Sequence, residues 1–177
     1  MKKSPPRAWV LATGVLFVAL FAVNTWMRSF AASPGQPGDR FPGLAKMETE
    51  GTAPDIAGKV VLVDLWASWC GPCKKAFPVM KELHDTFSSR GFTVLAVSLD
   101  EKKTDMDEFL AKAKPAFPTL RDVKGKLTEA LGVESIPTSI LVGPDGRILA
   151  RHEGFDGDST KKELVAQIEK ALKAAGK

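Results

Sequence analysis

The run Val60 to Trp66 (VVLVDLW) opens directly into Ala67-Ser68-Trp69-Cys70-Gly71-Pro72-Cys73-Lys74-Lys75, and this junction constrains the chain more than any other stretch. Seven residues that are apolar or β-branched at all but one position read as a central strand covered on both faces. The exception is Asp64, a carboxylate out of place in a plain core strand. Pro72 is tolerated in the first turn of a helix, where its missing N–H costs nothing. The strand is therefore predicted to run into a helix that carries the chain's two cysteines at its positive end.

That position supplies a chemistry. Free N–H groups and the helix dipole stabilise an anion, so Cys70 should ionise more readily than a free cysteine. A thiolate near neutral pH attacks disulfides, and Cys73, one helical turn on, is close enough to resolve a mixed disulfide formed at Cys70. Two blander roles compete with redox work. A structural disulfide closing a four-residue loop would contribute only about 2 kcal/mol, against about 3 for a fifteen-residue loop. Zinc wants four ligands, and beyond the two sulfurs the chain has only His84 and His152, with no short spacing between them, so no metal site is expected. A third reading is a Cu(I) carrier, since two thiolates suit that ion.

The segment WASWCGPCK after an apolar strand carrying Asp64, with Ile136-Pro137-Thr138 much later, resembles the thioredoxin superfamily. The N-terminal apolar stretch and a long middle resemble its membrane-tethered TlpA/ResA-like thiol:disulfide oxidoreductases. The resemblance covers about residues 39 to 177. It implies a thioredoxin fold, an α/β domain with a central mixed β-sheet flanked by helices and an insert in the middle. It also implies a cis Ile136–Pro137 bond opposite Cys70, with the backbone at Ile136 pairing with the substrate chain. Trp69, Gly71, Pro72, Ile136 and Pro137 then line the substrate site, and Cys70, Cys73 and Asp64 carry the reaction. No cofactor is implied beyond the redox-active disulfide of Cys70 and Cys73. Peroxidase activity is a further alternative, because the family's relatives include peroxiredoxins, although the active cysteine there lies in a different setting.

Gly71-Pro72 resembles the dipeptide of reducing thioredoxins rather than that of strongly oxidising periplasmic proteins. The implied partners are protein disulfides, such as the C-x-x-C-H thiols of apocytochrome c or the cysteines of a copper site. A membrane thiol-electron transporter would be the donor. Two departures from the tethered group stand out: where its members commonly have Glu three residues after the second cysteine and Asn in the central strand, this chain has Ala76 and Asp64. Buried in an apolar strand, Asp64 should have a raised pKa and could accept a proton near neutrality, or it could simply hydrogen-bond a backbone group. The lysine that the thioredoxin pattern puts on the neighbouring strand is missing from Phe92 to Leu99.

Charge excludes one class of partner. The net charge of +4 comes from Lys2, Lys3, Arg7 and Arg28, leaving 21 basic and 21 acidic residues from Ser29 onward, so nothing favours nucleic acid. Ala8 to Met27 is uncharged and about 30 Å long as a helix, enough to cross a bilayer, with the positive flank holding its start in the cytoplasm. The expected arrangement is a single-pass anchor in the bacterial cytoplasmic membrane with the domain on the periplasmic or extracytoplasmic side. A cleaved signal peptide ending near Ser29-Phe30-Ala31-Ala32 is the competing reading, and either one exports the domain. Residues 1–38 thus read as cytoplasmic start, anchor and Pro/Gly linker, and 39–177 as one domain.

Along that domain, Phe41 to Glu50 reads as an irregular edge strand or hairpin arm. The cysteine helix is predicted to run to about Ser89 with Phe77, Met80, Leu83 and Phe87 inward and Pro78 within it. Phe92 to Leu99 reads as a second buried strand. Thr104 to Lys114 reads as a helix with a Thr cap, and Ser159 to about Ala174 as the last helix. Gly143-Pro144-Asp145-Gly146 should close a hairpin between Ser139–Val142 and Arg147–Arg151. Trp66 is expected in the core, Trp69 either packed or facing substrate, and both histidines at the surface.

Overall fold

Every residue of Val60–Trp66 (β2) is buried, as an apolar run must be when elements cover both its faces. The computed structural model describes residues 34–177. There β2 pairs in parallel with Phe92–Ser98 (β3) and antiparallel with Thr138–Val142 (β5). Thr119–Asp122 (β4) extends the sheet beyond β3, and Thr49–Glu50 (β1) edges it on that side. Ile148–Glu153 (β6) edges it on the other, giving the order β1-β4-β3-β2-β5-β6. The helices are Gly71–Phe87 (α1), Lys103–Ala113 (α2), Lys126–Ala130 (α3) and Gly157–Ala174 (α4). The expected mixed α/β sheet flanked by helices is present, with the parallel β2–α1–β3 unit at its centre.

Strand alternation divides the core into two layers. Val60, Leu62 and Trp66 pack with Cys73, Ala76, Phe77 and Met80 of α1 and with Leu164 and Ile168 of α4. Val61, Val63 and Leu65 pack on the opposite face against Phe41, Leu44, Leu127 and Leu131. Asp64 alternates with Leu62 and Trp66, so its carboxylate belongs to the cysteine-helix layer. Beneath the cysteines Trp66, Phe77 and Phe109 meet edge-on or tilted at centroid distances of 4.8 to 5.1 Å, contacts worth roughly 0.5–1.5 kcal/mol each beyond burial.

Three local expectations differ from what forms. Phe41 to Glu50 is not one strand arm. Pro42 can donate no ladder bond, the chain closes a 3₁₀ turn at Leu44–Lys46, and only Thr49–Glu50 pairs, with Asp122 and Arg121. The Thr104 cap does not form either: α2 starts one residue earlier, which puts Thr104 inside the first turn, where its hydroxyl lies 3.3 Å from Asp105 Oδ1. Pro34–Gly38, read as part of a linker, is folded onto the domain. The Arg151 guanidinium donates to the carbonyls of Gly35, Leu131 and Gly132, and Gly38 N–H donates to Ile148 O at 2.8 Å. The predicted anchor at Ala8 to Met27 lies outside the described residues, among which no helix is long and apolar enough to cross a membrane.

Candidate active site

Cys70 is the N-cap of α1, with extended backbone, and its Sγ accepts a hydrogen bond from Cys73 N–H at 3.2 Å. This is the donor set that stabilises a thiolate when the pair is reduced, reinforced by the helix dipole. The cysteines form a disulfide with Cα atoms 5.3 Å apart. Cys70 is 5 % exposed and Cys73 1 %, so an incoming disulfide reaches Cys70 first. Gly71 and Pro72 are exposed at the helix start, and Pro72 fills a first-turn position as predicted.

Two loops converge on Cys70. One carries Ile136 and Pro137: their peptide bond is cis, and the Ile136 carbonyl oxygen lies 3.9 Å from Cys70 Sγ. The other, Ala67 to Trp69, is held by a residue that sequence reasoning missed. Asp100 is buried just beyond β3, and its carboxylate accepts from Ser68 N–H (3.0 and 3.1 Å), Ser68 Oγ (2.7 Å) and Ser98 Oγ (2.7 Å). An acid immediately after a buried strand was the available signal. Its partner Ser68, 32 residues away, could not be read without the fold.

Asp64 is 1 % exposed. Burial pushes its carboxyl up from 3.8 to about 7, while a hydrogen bond from Ser139 Oγ to Oδ1, 2.8 Å long, opposes that rise. The partner is thus a side chain on β5 rather than a backbone group. Across β2 the register sets Ser139 on one side of Asp64 and Ala96 on the other, so no cation stands beside it in the sheet.

Trp66 is fully buried, whereas Trp69, the residue before Cys70, is 66 % exposed. Lys74 and Lys75 are exposed on α1. The histidines are less superficial than expected. His84 packs edge-on to Phe117 at 5.6 Å, with burial lowering its pKa, and His152 shares a 2.8 Å hydrogen bond with Gln167 and lies 3.5 Å from Glu163. Neither is drawn to the cysteines, and among the described residues no three His, Cys, Asp or Glu side chains gather as a metal site.

An ionisable thiol at a helix start, with a second thiol one turn behind it, defines a protein of thiol–disulfide exchange. Residues 58–148 match the family described as Thioredoxin-like. The thiol-disulfide oxidoreductase ResA of Bacillus subtilis is 30 % identical over 155 residues, covering 84 % of this chain and 86 % of its own. The ResA protein of Geobacillus kaustophilus is 27 % identical over 175 residues, covering 96 % and 98 %. Among solved structures, a thiol:disulfide interchange protein DsbE from Chlorobium tepidum superposes with a TM-score of 0.72 at 37 % identity, over 77 % of this chain and 98 % of that one. The chain belongs to the thioredoxin-like family, and it is a thiol:disulfide oxidoreductase.

Proposed function

We propose that this protein is an exported, membrane-tethered reductant of protein disulfides. The observation that carries this reading is the asymmetry of the pair: Cys70 caps α1 and is the more exposed sulfur, while Cys73 lies beneath it in the layer that Asp64 shares. The Cys70 thiolate attacks a substrate disulfide, forms a mixed disulfide and releases one substrate thiolate. The Cys73 thiol then passes its proton to the Asp64 carboxylate and attacks Cys70 Sγ. The Cys70–Cys73 bond forms, and the second substrate sulfur leaves as a thiolate that takes a proton from water. Two electrons have moved to the substrate, and a thiol donor at the membrane restores the dithiol.

The substrate chain lies extended along Ile136, whose carbonyl borders Cys70. Substrates of the implied class are the C-x-x-C-H thiols of apocytochrome c or the cysteines of a copper site. Tethering is supported by the uncharged run Ala8 to Met27 behind a basic flank. Gly71-Pro72 supports a potential near the thioredoxin value of about −270 mV, far from the roughly −120 mV of a strong periplasmic oxidant.

Trapping tests the reading. Cys70→Ser should reduce disulfide-reductase activity to background, whereas Cys73→Ser should attack once and remain covalently attached to a membrane or exported protein bearing paired cysteines. Faster alkylation of Cys73 than of Cys70 at pH 7 would reverse the two roles. Recovery of the mature chain as a soluble protein beginning at Ala32 or Ser33 would remove the tether.

A further inference from the structure

In the proposed mechanism Asp64 serves resolution of the mixed disulfide as a buried base, and such a base must be able to ionise near neutral pH. Asp64 has the burial; what lets it ionise is the question. It alternates along β2 with Leu62 and Trp66, which share one apolar layer with Cys73 and Ala76 of α1, Leu164 and Ile168 of α4 and Met106 and Phe109 of α2, and Ala96 of β3 stands beside it in register. Among these the reduced cysteines are the titratable groups. On the far side of β5, His152 stands in register with Ser139, two strand spacings from Asp64, or about 10 Å. Its ring nitrogens engage Gln167 and Glu163 of α4. Among the described residues, the hydrogen-bond partner of the Asp64 side chain is Ser139 alone, through Oδ1.

We propose that Ser139 is the positioning residue of the proton step: its hydroxyl holds Oδ1 of Asp64 and leaves Oδ2 as the atom that takes the Cys73 proton. This rests on the reading of Asp64 as the acceptor. A hydroxyl that donates to a carboxylate favours its charged form, and here it does so without the charge of a lysine. The upward shift of Asp64 to about 7, opposed by this one bond, fits a base kept within reach of neutrality. Removing the hydroxyl should leave the acid protonated over a wider range, and Cys73 would then lack an acceptor at pH 7. Ser139 is 4 % exposed, so water does not readily take its place.

The test is single-turnover release of a peptide held as a mixed disulfide on Cys70, followed from about pH 5 to 9, with the Asp64 carboxyl titrated in parallel by carbon-13 NMR. Ser139→Ala should move both the rate inflection and the carboxyl titration up by about one pH unit, with release about tenfold slower below the wild-type inflection. Ser139→Thr, which keeps the hydroxyl, should bring both back. Asp64→Asn should lose the inflection, and adding Ser139→Ala to it should change nothing. An inflection that is lost in Asp64→Asn but unmoved in Ser139→Ala overturns the assignment of Ser139 alone. An Asp64→Asn profile that keeps the wild-type inflection overturns the reading of Asp64, and the proposal with it.

Discussion

Two buried carboxylates flank this active site, and their surroundings differ in a way that separates chemistry from architecture. Asp100 accepts from one backbone N–H and two serine hydroxyls, and through Ser68 it fixes the loop that delivers Trp69 and Cys70. Asp64, in the middle of β2, has one hydroxyl and a layer of apolar side chains. Asp64, denied further donors by its apolar surroundings, is driven towards neutrality. Both are buried aspartates, Asp64 within β2 and Asp100 just beyond the end of β3. The number of donors that the neighbouring strands and loops bring up sets the two acids apart.

The largest expected effect tests Asp64. Its folded pKa is raised from 3.8 to about 7, so the folded chain holds a proton that the unfolded chain releases. The associated stability is fully present below about pH 4 and is lost as the pH rises through about 7. An asparagine in its place cannot ionise. Asp64→Asn should therefore match the wild type near pH 4 and exceed it at pH 8 by up to about 4 kcal/mol, read from urea unfolding of the oxidised protein. Equal stability at pH 8 would mean that the carboxylate is better solvated than its burial indicates. Asp100→Ala should move the other way at pH 8, losing about 3 kcal/mol, because Ser68 N–H and two serine hydroxyls lose their acceptor in a buried place. If both variants shifted in the same direction, the distinction between the two acids would fail.

Much of this arrangement was legible in the sequence because it is local. Pro72 at the first turn puts Cys70 at the cap whatever the rest of the chain does, and the apolar run around Asp64 announces a buried acid. What could not be read was non-local. Ser139 reaches Asp64 only because β5 pairs antiparallel with β2 in one register, and a one-residue slip would turn it to the other layer. Ser68 and Asp100 meet across 32 residues. The Pro34–Gly38 segment has linker composition, yet the Arg151 guanidinium fork, contributed by β6, fastens it to the domain. His152 reads as an isolated surface residue until α4 brings up Gln167 and Glu163.

The smallest effect on stability, and the last test of the division of labour, concerns Trp69. The residue is 66 % exposed, so Trp69→Ala should change folding stability by no more than about 0.5 kcal/mol. An indole held in the open next to the attacking sulfur is instead suited to contact a protein substrate, since aromatic anchors carry a large share of binding energy at interfaces. Reduction of a folded protein disulfide should fall about tenfold in kcat/KM, while reduction of a small aromatic disulfide that needs only Cys70 should be unchanged. Because Asp100 fixes the Trp69 loop through Ser68, Asp100→Ala should lose part of the same discrimination, and the double variant should be less impaired than the two single losses multiplied together. Fully multiplicative losses would show that Asp100 supports the fold without positioning the ring. An equal fall for both substrates in Trp69→Ala would place its action on the Cys70 sulfur itself, and the exposed indole would no longer count as a recognition element.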